Sequence, residues 1–192
     1  MMDVNRPNYL LIRLILKTII RALFRMKGYR IHGKEYLPAK RQPAILIANH
    51  AAFIDSIYII SSVKPRFAIC GARPKYFQKR LIRYLFHIAN ILKVENHDQF
   101  LKDCGYLLKN GEIILIYPEM GRFPDGLGPF QTWAAEVALS AGVPVIPLYL
   151  YGTTKGQSDS KRLFVGSPIT PQGDPESLTQ IFRKAIADLN PK

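Results

Sequence analysis

The stretch "ILIANHAAFIDSIYII", residues 45–60, decides the fold. Its opening Ile45-Leu46-Ile47-Ala48 is apolar without alternation, the pattern of a short strand covered on both faces. Its closing Ser56-Ile57-Tyr58-Ile59-Ile60 reads as the first turns of a helix. Between them stand Asn49, His50 and Asp55, three polar groups in a run that otherwise looks buried. Five positions apart on one continuous helix, His50 and Asp55 would point about 140° from each other. For the two to cooperate the chain must turn, with Asn49-His50 in the turn and a helix starting near Asp55.

The same punctuation recurs outward from this point. "RFAICG", "NILKVE", "EIILIY", "VPVIPLYL" and "RLFVGSPI" are further apolar runs that read as strands. The segments between them, "PKYFQKRLIRYLFHIA", "HDQFLKDCGYLLKNG" and "PFQTWAAEVALSAG", carry helical spacing and end at glycine or a loop. "SIYIISSV" reads as a helix that stops before Pro65, and the last helix opens with Asp174 as cap and Pro175 at its first position. Alternation of uniformly apolar strands with helices predicts an α/β layered domain: a mainly parallel sheet flanked by helices. In such sheets chemistry gathers beyond the carboxyl ends of the strands, where His50 and Glu119 both fall.

The chain has 192 residues, of which 48% are hydrophobic, which suits one domain with a sizeable core. Lys and Arg outnumber Asp and Glu by 27 to 14, for a net charge of +13. That balance calls for an anionic partner. No basic tract interleaved with aromatics is present, so nucleic acid is not the expected one. Cys70 and Cys104 stand too far apart for a metal or redox pair, which suits a reducing compartment, and no metal-ligand spacing occurs.

The N-terminus points to a membrane surface. Residues 1–27 include "NYLLIRLILKTIIRALFRM", in which Arg13, Lys17, Arg21 and Arg25 recur every fourth residue. On a helix these form one slanting stripe about 120° wide, with the rest of the cylinder apolar. Ten Leu, Ile and Phe residues lie between Leu10 and Phe24. Each would gain roughly 0.3–0.6 kcal/mol at a bilayer centre, while each central Lys or Arg would cost roughly 2.5–3.5 kcal/mol, so spanning is disfavoured. Lying flat on an anionic leaflet keeps the apolar gain and adds roughly 1 kcal/mol per basic residue. The expectation is an N-terminal amphipathic membrane-interface helix, peripheral on the cytoplasmic face.

A second segment, "IYPEMGRFPDG", delivers Glu119 and Arg122 from an apolar strand into a loop bearing glycine and proline. Arg favours bidentate phosphate contacts, and Glu119 can hold that Arg or brace the loop. An aspartate in a first helical turn is stabilised as an anion, so Asp55 can fix the tautomer of His50 and leave its other nitrogen as a general base. No G-x-S-x-G elbow supplies a nucleophile, and Cys70 sits inside an apolar strand.

Four blocks in order now resemble the glycerolipid acyltransferases, a membrane-associated, PlsC-like family that includes the lysophosphatidate acyltransferases. "NHAAFID" matches the family's N-H-x-x-x-x-D; "RFAICGARPKYF…NILKVEN" holds the place of the second block; "YPEMGRFPDGLGPF" resembles F-P-E-G-T-R-S; "AGVPVIPLYLYGT" resembles V-P-[IV]-[IV]-P-[IV]. The resemblance implies an acyltransferase domain over residues 28–192. It implies His50 as base, Asp55 orienting it, and Glu119, Gly121, Arg122 and Arg73 at the acceptor's phosphate. Asn49, Pro118 and Pro147 would be supporting residues, Pro147 shaping a strand end. The implied partners are a lyso-lipid acceptor and acyl-CoA or acyl-carrier protein as co-substrate, with no metal or other cofactor. The tetrahedral oxyanion would need backbone N–H donors. Alternatives on the same residues are an acyl thioesterase or hydrolase, with His50 activating water, and a non-catalytic membrane-binding module. The sequence also departs from the pattern. Met120-Gly121 stands for the family's Gly-Thr, and Asn96 and Gln131 stand where basic residues are usual, with Arg73, Lys75 and Lys93 as possible replacements. Those departures weaken lysophosphatidate in particular as the acceptor.

Overall fold

Ala44–Ala48 form β2, and all five residues are buried. Successive side chains of a strand point to opposite faces, so Ile45 and Ile47 enter one core while Ala44, Leu46 and Ala48 enter another. This central strand pairs in parallel with β5 (Ile113–Ile116) on one side and with β6 (Val145–Tyr151) on the other. The computed structural model describes residues 10–39, 42–63, 68–89, 91–154, 156–157 and 161–191, the side chains of Leu10 and Arg13 aside. The expected helix stop at Pro65 lies outside those residues.

Among the described residues the sheet has seven strands, ordered β1-β7-β6-β2-β5-β3-β4, with β1 Arg30–His32, β3 Ala68–Ala72, β4 Leu92–Lys93 and β7 Arg162–Val165. Every pairing is parallel except β6 with β7. The strand β1 has no counterpart in the sequence reading. It is three residues long and not uniformly apolar, and it is secured by its parallel register with β7, Ile31 facing Leu163. Gly33 ends it at φ 75, and a Cβ there would meet the Val165 carbonyl oxygen at 2.2 Å.

One face of the sheet is covered by α4 (His97–Lys109), α5 (Trp133–Ala141) and α6 (Pro175–Asp188), through Phe100, Leu107, Ala135, Ala138, Phe182 and Ile186. Asn96 caps α4 and Asp174 caps α6, each side chain accepting the N–H three residues on. The other face is covered by α2 (Asp55–Ser62) and by α1 (Leu10–Met26), with Tyr58 and Ile59 against Leu46 and Leu148. Two expected helices are shorter than their spacing suggests. The segment after β3 divides into a 3₁₀ turn, Pro74–Phe77, and α3, Arg80–Ala89. Residues 129–132 stay out of α5 because Gln131 N–H is bound to the Pro118 carbonyl at 2.8 Å.

The N-terminal helix forms, but its charges do not make one solvent-facing stripe. Phe24 stacks on Tyr58 at 3.9 Å between ring centroids, which turns α1 so that Lys17 enters the protein. Lys17 is 6% exposed and donates to the Val63 carbonyl. Leu11, Ile12, Ile15, Ile19, Leu23 and Met26 are exposed instead.

Burial, with Arg21 nearby, lowers the Lys17 ammonium from 10.5 to about 8. The unfolded chain therefore holds more protons between those values, so this group's contribution to stability rises with pH across the window. Urea unfolding of wild type and Lys17→Met should diverge in favour of the wild type by about 2–3 kcal/mol from pH 7.5 to 10.5. Parallel pH profiles would show the amine is not buried.

Candidate functional site

Beyond the carboxyl end of β2 the chain is fastened before it turns. The Asn49 side chain accepts the Leu150 N–H at 2.8 Å and donates to the Leu150 carbonyl at 3.2 Å, tying the turn to β6. Asp55, wholly buried in the first turn of α2, reaches backwards. Its Oδ2 accepts the N–H of Ala51 and of Ala52, both at 2.8 Å. The same oxygen lies 3.1 Å from His50 Nδ1. One carboxylate oxygen thus closes the 49–55 turn and meets the imidazole. An oxygen already accepting two N–H groups can meet Nδ1 only as a further acceptor. His50 Nδ1 therefore carries the proton, and Nε2 presents its lone pair.

Two further groups fix the ring and its backbone. The Tyr117 ring stacks on the imidazole at 4.0 Å, interplanar angle 18°, and its hydroxyl pairs with Ser56 Oγ at 2.9 Å. Glu119, 4% exposed, spans the site: Oε2 accepts the His50 N–H and Oε1 the Gly128 N–H, both at 2.8 Å. The Phe123 N–H adds a bond of 2.7 Å to the His50 carbonyl. The 118–128 loop is therefore clamped to the histidine from both sides of its peptide. Burial raises the Glu119 carboxyl from 4.5 to about 7; the two N–H donors lower it and Asp55 raises it further. Of the two roles open to Glu119 in the sequence, the geometry is that of a loop brace: its carboxylate binds backbone amides and is not paired with Arg122.

Arg122 instead donates to the Tyr76 hydroxyl at 2.7 Å and lies 5.8 Å from the ring centroids of both Phe53 and Tyr76. Arg73 donates to the Met120 carbonyl at 2.6 Å. Met120 holds φ 50, a left-handed conformation that costs an L-residue about 1–2 kcal/mol and that the glycine of the related motif adopts freely. Gly121 follows, where a Cβ would meet the Phe123 ring at 3.2 Å.

His50, Arg73, Lys75, Gly121 and Arg122 open onto one cavity of about 740 Å³. From this basic mouth it continues between α2, β3, α3 and α1 along Ile57, Ile60, Leu85, Phe86, Ile88 and Ile91, reaching Leu16, Lys17 and Ile20. The site is thus a histidine at the neck of an apolar slot rimmed by cations.

Other expected residues lie elsewhere. Pro147 is not at a strand end: it is the third residue of β6, buried, beside Ile47 of β2. Its carbonyl accepts the Gly166 N–H at 2.9 Å, so its ring nitrogen also faces away from β2, and the β2 ladder misses no donor. Pro118 is buried, and its carbonyl holds Gln131. Lys93 pairs with Glu95 at 2.6 Å, half-exposed and outside the cavity lining, which leaves Arg73 and Lys75 as the cations near Arg122. Asn96 is occupied as the α4 cap. Tyr117, Ser56, Tyr76 and Phe53 went unnoticed in the sequence; an aromatic two residues before Glu119 at a strand end was the only signal for any of them. Among the described residues no cluster of three or more metal-ligating side chains occurs.

A model of the acyltransferase family matches residues 28–151. A chloroplastic 1-acyl-sn-glycerol-3-phosphate acyltransferase of Brassica napus is 32% identical over 131 residues, 65% of this chain and 38% of that one. Its counterpart from Arabidopsis thaliana is 34% identical over 131 residues, 65% and 36% of the respective chains. The chain thus spans well under half the length of these plant relatives. The 1-acyl-sn-glycerol-3-phosphate acyltransferase of Escherichia coli is 26% identical over 152 residues, 76% of this chain and 62% of that one. In fold, the chain is similar to the crystal structure of the 1-acyl-sn-glycerophosphate acyltransferase PlsC from Thermotoga maritima. The TM-score is 0.68 at 20% identity, covering 92% of this chain and 79% of that one.

The folded protein binds a proton at Glu119 between pH 4.5 and about 7 that the unfolded chain has released, so this group's contribution to stability falls as pH rises through that window. Glu119→Gln should remove that slope, wild type losing about 2–3 kcal/mol relative to the variant from pH 4.5 to 7 in denaturant unfolding. A constant difference across the window would contradict a buried carboxyl at this site.

Proposed function

Because the chain belongs to the acyltransferase family, we propose that it is an O-acyltransferase moving a fatty acyl group from a thioester, acyl-CoA or acyl-carrier protein, to the hydroxyl of a lyso-glycerolipid. The observation that carries the reading is His50, oriented by Asp55 at 3.1 Å, at the neck of an apolar cavity. In this reaction Nε2 of His50 takes the proton of the acceptor hydroxyl as its oxygen attacks the thioester carbonyl. The C–S bond then breaks, and the leaving thiolate recovers that proton from the imidazolium. One ester forms, one thiol is released, and no acyl-enzyme intervenes.

The surroundings support each part. The aliphatic slot suits an acyl chain, since apolar cavities of roughly 300–1,000 Å³ bury most of a ligand of that size. Arg122, Arg73 and Lys75 suit an acceptor bearing phosphate, and each guanidinium has N–H donors beyond the one used on Tyr76 or Met120. The exposed aliphatic residues of α1 suit peripheral attachment to a bilayer on its cytoplasmic face; among the described residues no helix is long and apolar enough to cross one. The relatives' names point to 1-acylglycerol-3-phosphate as acceptor, and lysophospholipids with other headgroups are the natural comparison because Met120 and Gln131 depart from the family pattern.

The test is purified protein incubated with acyl-CoA and a panel of lyso-lipids, read by mass spectrometry. A diacyl product is expected; free fatty acid released regardless of acceptor would replace the reading by a hydrolase. His50→Ala should lower kcat by about 10²- to 10⁴-fold while the variant keeps the wild-type circular-dichroism spectrum at the assay temperature. Near-wild-type turnover would remove His50 from the reaction.

A further inference from the structure

Beyond α1, a second helix leaves an apolar face uncovered. None of the residues of α3 is buried, and Leu81 is 68%, Tyr84 53% and Leu85 48% exposed. Spaced i, i+3, i+4, they form one stripe. Lys79, Arg80 and Arg83 are exposed beside it, and no acidic residue occurs between Asp55 and Glu95. The helix has little freedom to bury that stripe within its own domain, because its other side is already committed: Phe86 meets Phe77 edge-on at 5.1 Å, and Ile82 and Phe86 line the cavity, which Leu85 and Ile88 also border from the edge of the stripe.

We propose that α3 is a second membrane-contact element, lying in the plane of an anionic leaflet with Leu81, Tyr84 and Leu85 among the acyl chains and Lys79, Arg80 and Arg83 at the headgroups. Ten residues reach only about 15 Å, so the helix lies flat rather than crossing. A tyrosine flanked by leucines suits the headgroup boundary. Charge selects the occupant. A stripe rimmed only by cations repels a second copy of a chain that carries +13, and it attracts an anionic surface. Since α1 and α3 both line the cavity, docking through both sets the slot between them against the leaflet.

The inference rests on the bilayer placement proposed above, and the experiment separates the two. Tyr84→Trp adds an indole to a chain whose single native tryptophan, Trp133, packs against the α4 and α5 core. The full-length variant is mixed with phosphatidylcholine vesicles containing phosphatidylglycerol, with and without bromine on the acyl chains. Brominated anionic vesicles should quench the added indole by about half and leave wild-type fluorescence nearly unchanged. Lys79→Gln/Arg80→Gln/Arg83→Gln should weaken partitioning tenfold or more in flotation, from the roughly 1 kcal/mol each cation contributes. That triple variant should keep its turnover on short-chain substrates in solution. Flotation without added quenching would overturn the α3 element and leave α1 as the anchor. Absence of flotation would overturn both. Equal binding to purely zwitterionic vesicles would overturn the charge argument. Burial of the added indole without lipid, with a concentration-dependent mass increase, would assign the stripe to a second copy.

Discussion

One oxygen atom organises this site. Asp55 Oδ2 accepts two backbone N–H groups and meets the imidazole, so a single buried acceptor specifies the turn, the start of α2 and the orientation of His50. A buried carboxylate is costly unless its lone pairs are matched; here Oδ2 is matched by two of the chain's own amides and the imidazole, while Oδ1 is buried without a hydrogen-bond partner among the described residues. The arrangement runs against ordinary capping, in which a side chain before the helix binds N–H groups further along. Asp55 is already inside the helix and holds the residues before it, so the orientation of His50 and the strand-to-helix reversal stand or fall together.

Glu119 repeats the device over a longer span. Its two oxygens bind amides at positions 50 and 128, which converts a loop rich in glycine and proline into a rigid wall of the cavity mouth. The arginines are then placed by the wall and not by counter-ions: Arg73 holds the Met120 carbonyl and Arg122 lies against Tyr76 and Phe53. A cation satisfied by carbonyls, hydroxyls and ring faces keeps its full charge available to an incoming anion, whereas a carboxylate partner would compete with phosphate. The backbone strain at Met120 belongs to the same wall, held by the bond from Arg73.

The sequence disclosed what depends on local pattern. Uniform apolar runs such as Ile45–Ile47 marked strands covered on both faces, and the impossibility of a helical His50–Asp55 pair required the turn. It concealed what depends on register. Nothing in spacing says that Asn49 meets Leu150, or that Glu119 meets an amide 69 residues earlier. Pro147 illustrates the limit: proline in a strand signals an edge or an end, and only the register shows its nitrogen turned away from the β2 ladder. The cavity was equally hidden, because its lining is gathered from elements scattered along the chain, α1, α2, β3, α3, α4 and β5 among them, and no local pattern joins them.

The orientation of α1 inverts the usual logic of an amphipathic helix. In water, a helix with four cations along one stripe and aliphatic residues around the rest should bury the aliphatic side and expose the charge. Here Lys17 is turned inward at the expense of its proton affinity, while seven large aliphatic residues from Leu11 to Leu23 are exposed. Each such side chain left in water forgoes about 1.5–3 kcal/mol of transfer free energy, a sum that outweighs one buried amine. The bilayer placement proposed above would supply an apolar outer medium for those residues, and the Lys17 side chain acts within the fold, its bond to the Val63 carbonyl pinning α1 to the end of α2. The same reasoning applies to α3, whose Ile82 and Phe86 wall the slot while Leu81 and Tyr84 face outward and Leu85 stands at the edge between the two. Two helices line one cavity and both turn hydrocarbon away from the core; on the bilayer placement proposed above, an acyl chain would pass from one apolar phase to another without crossing water.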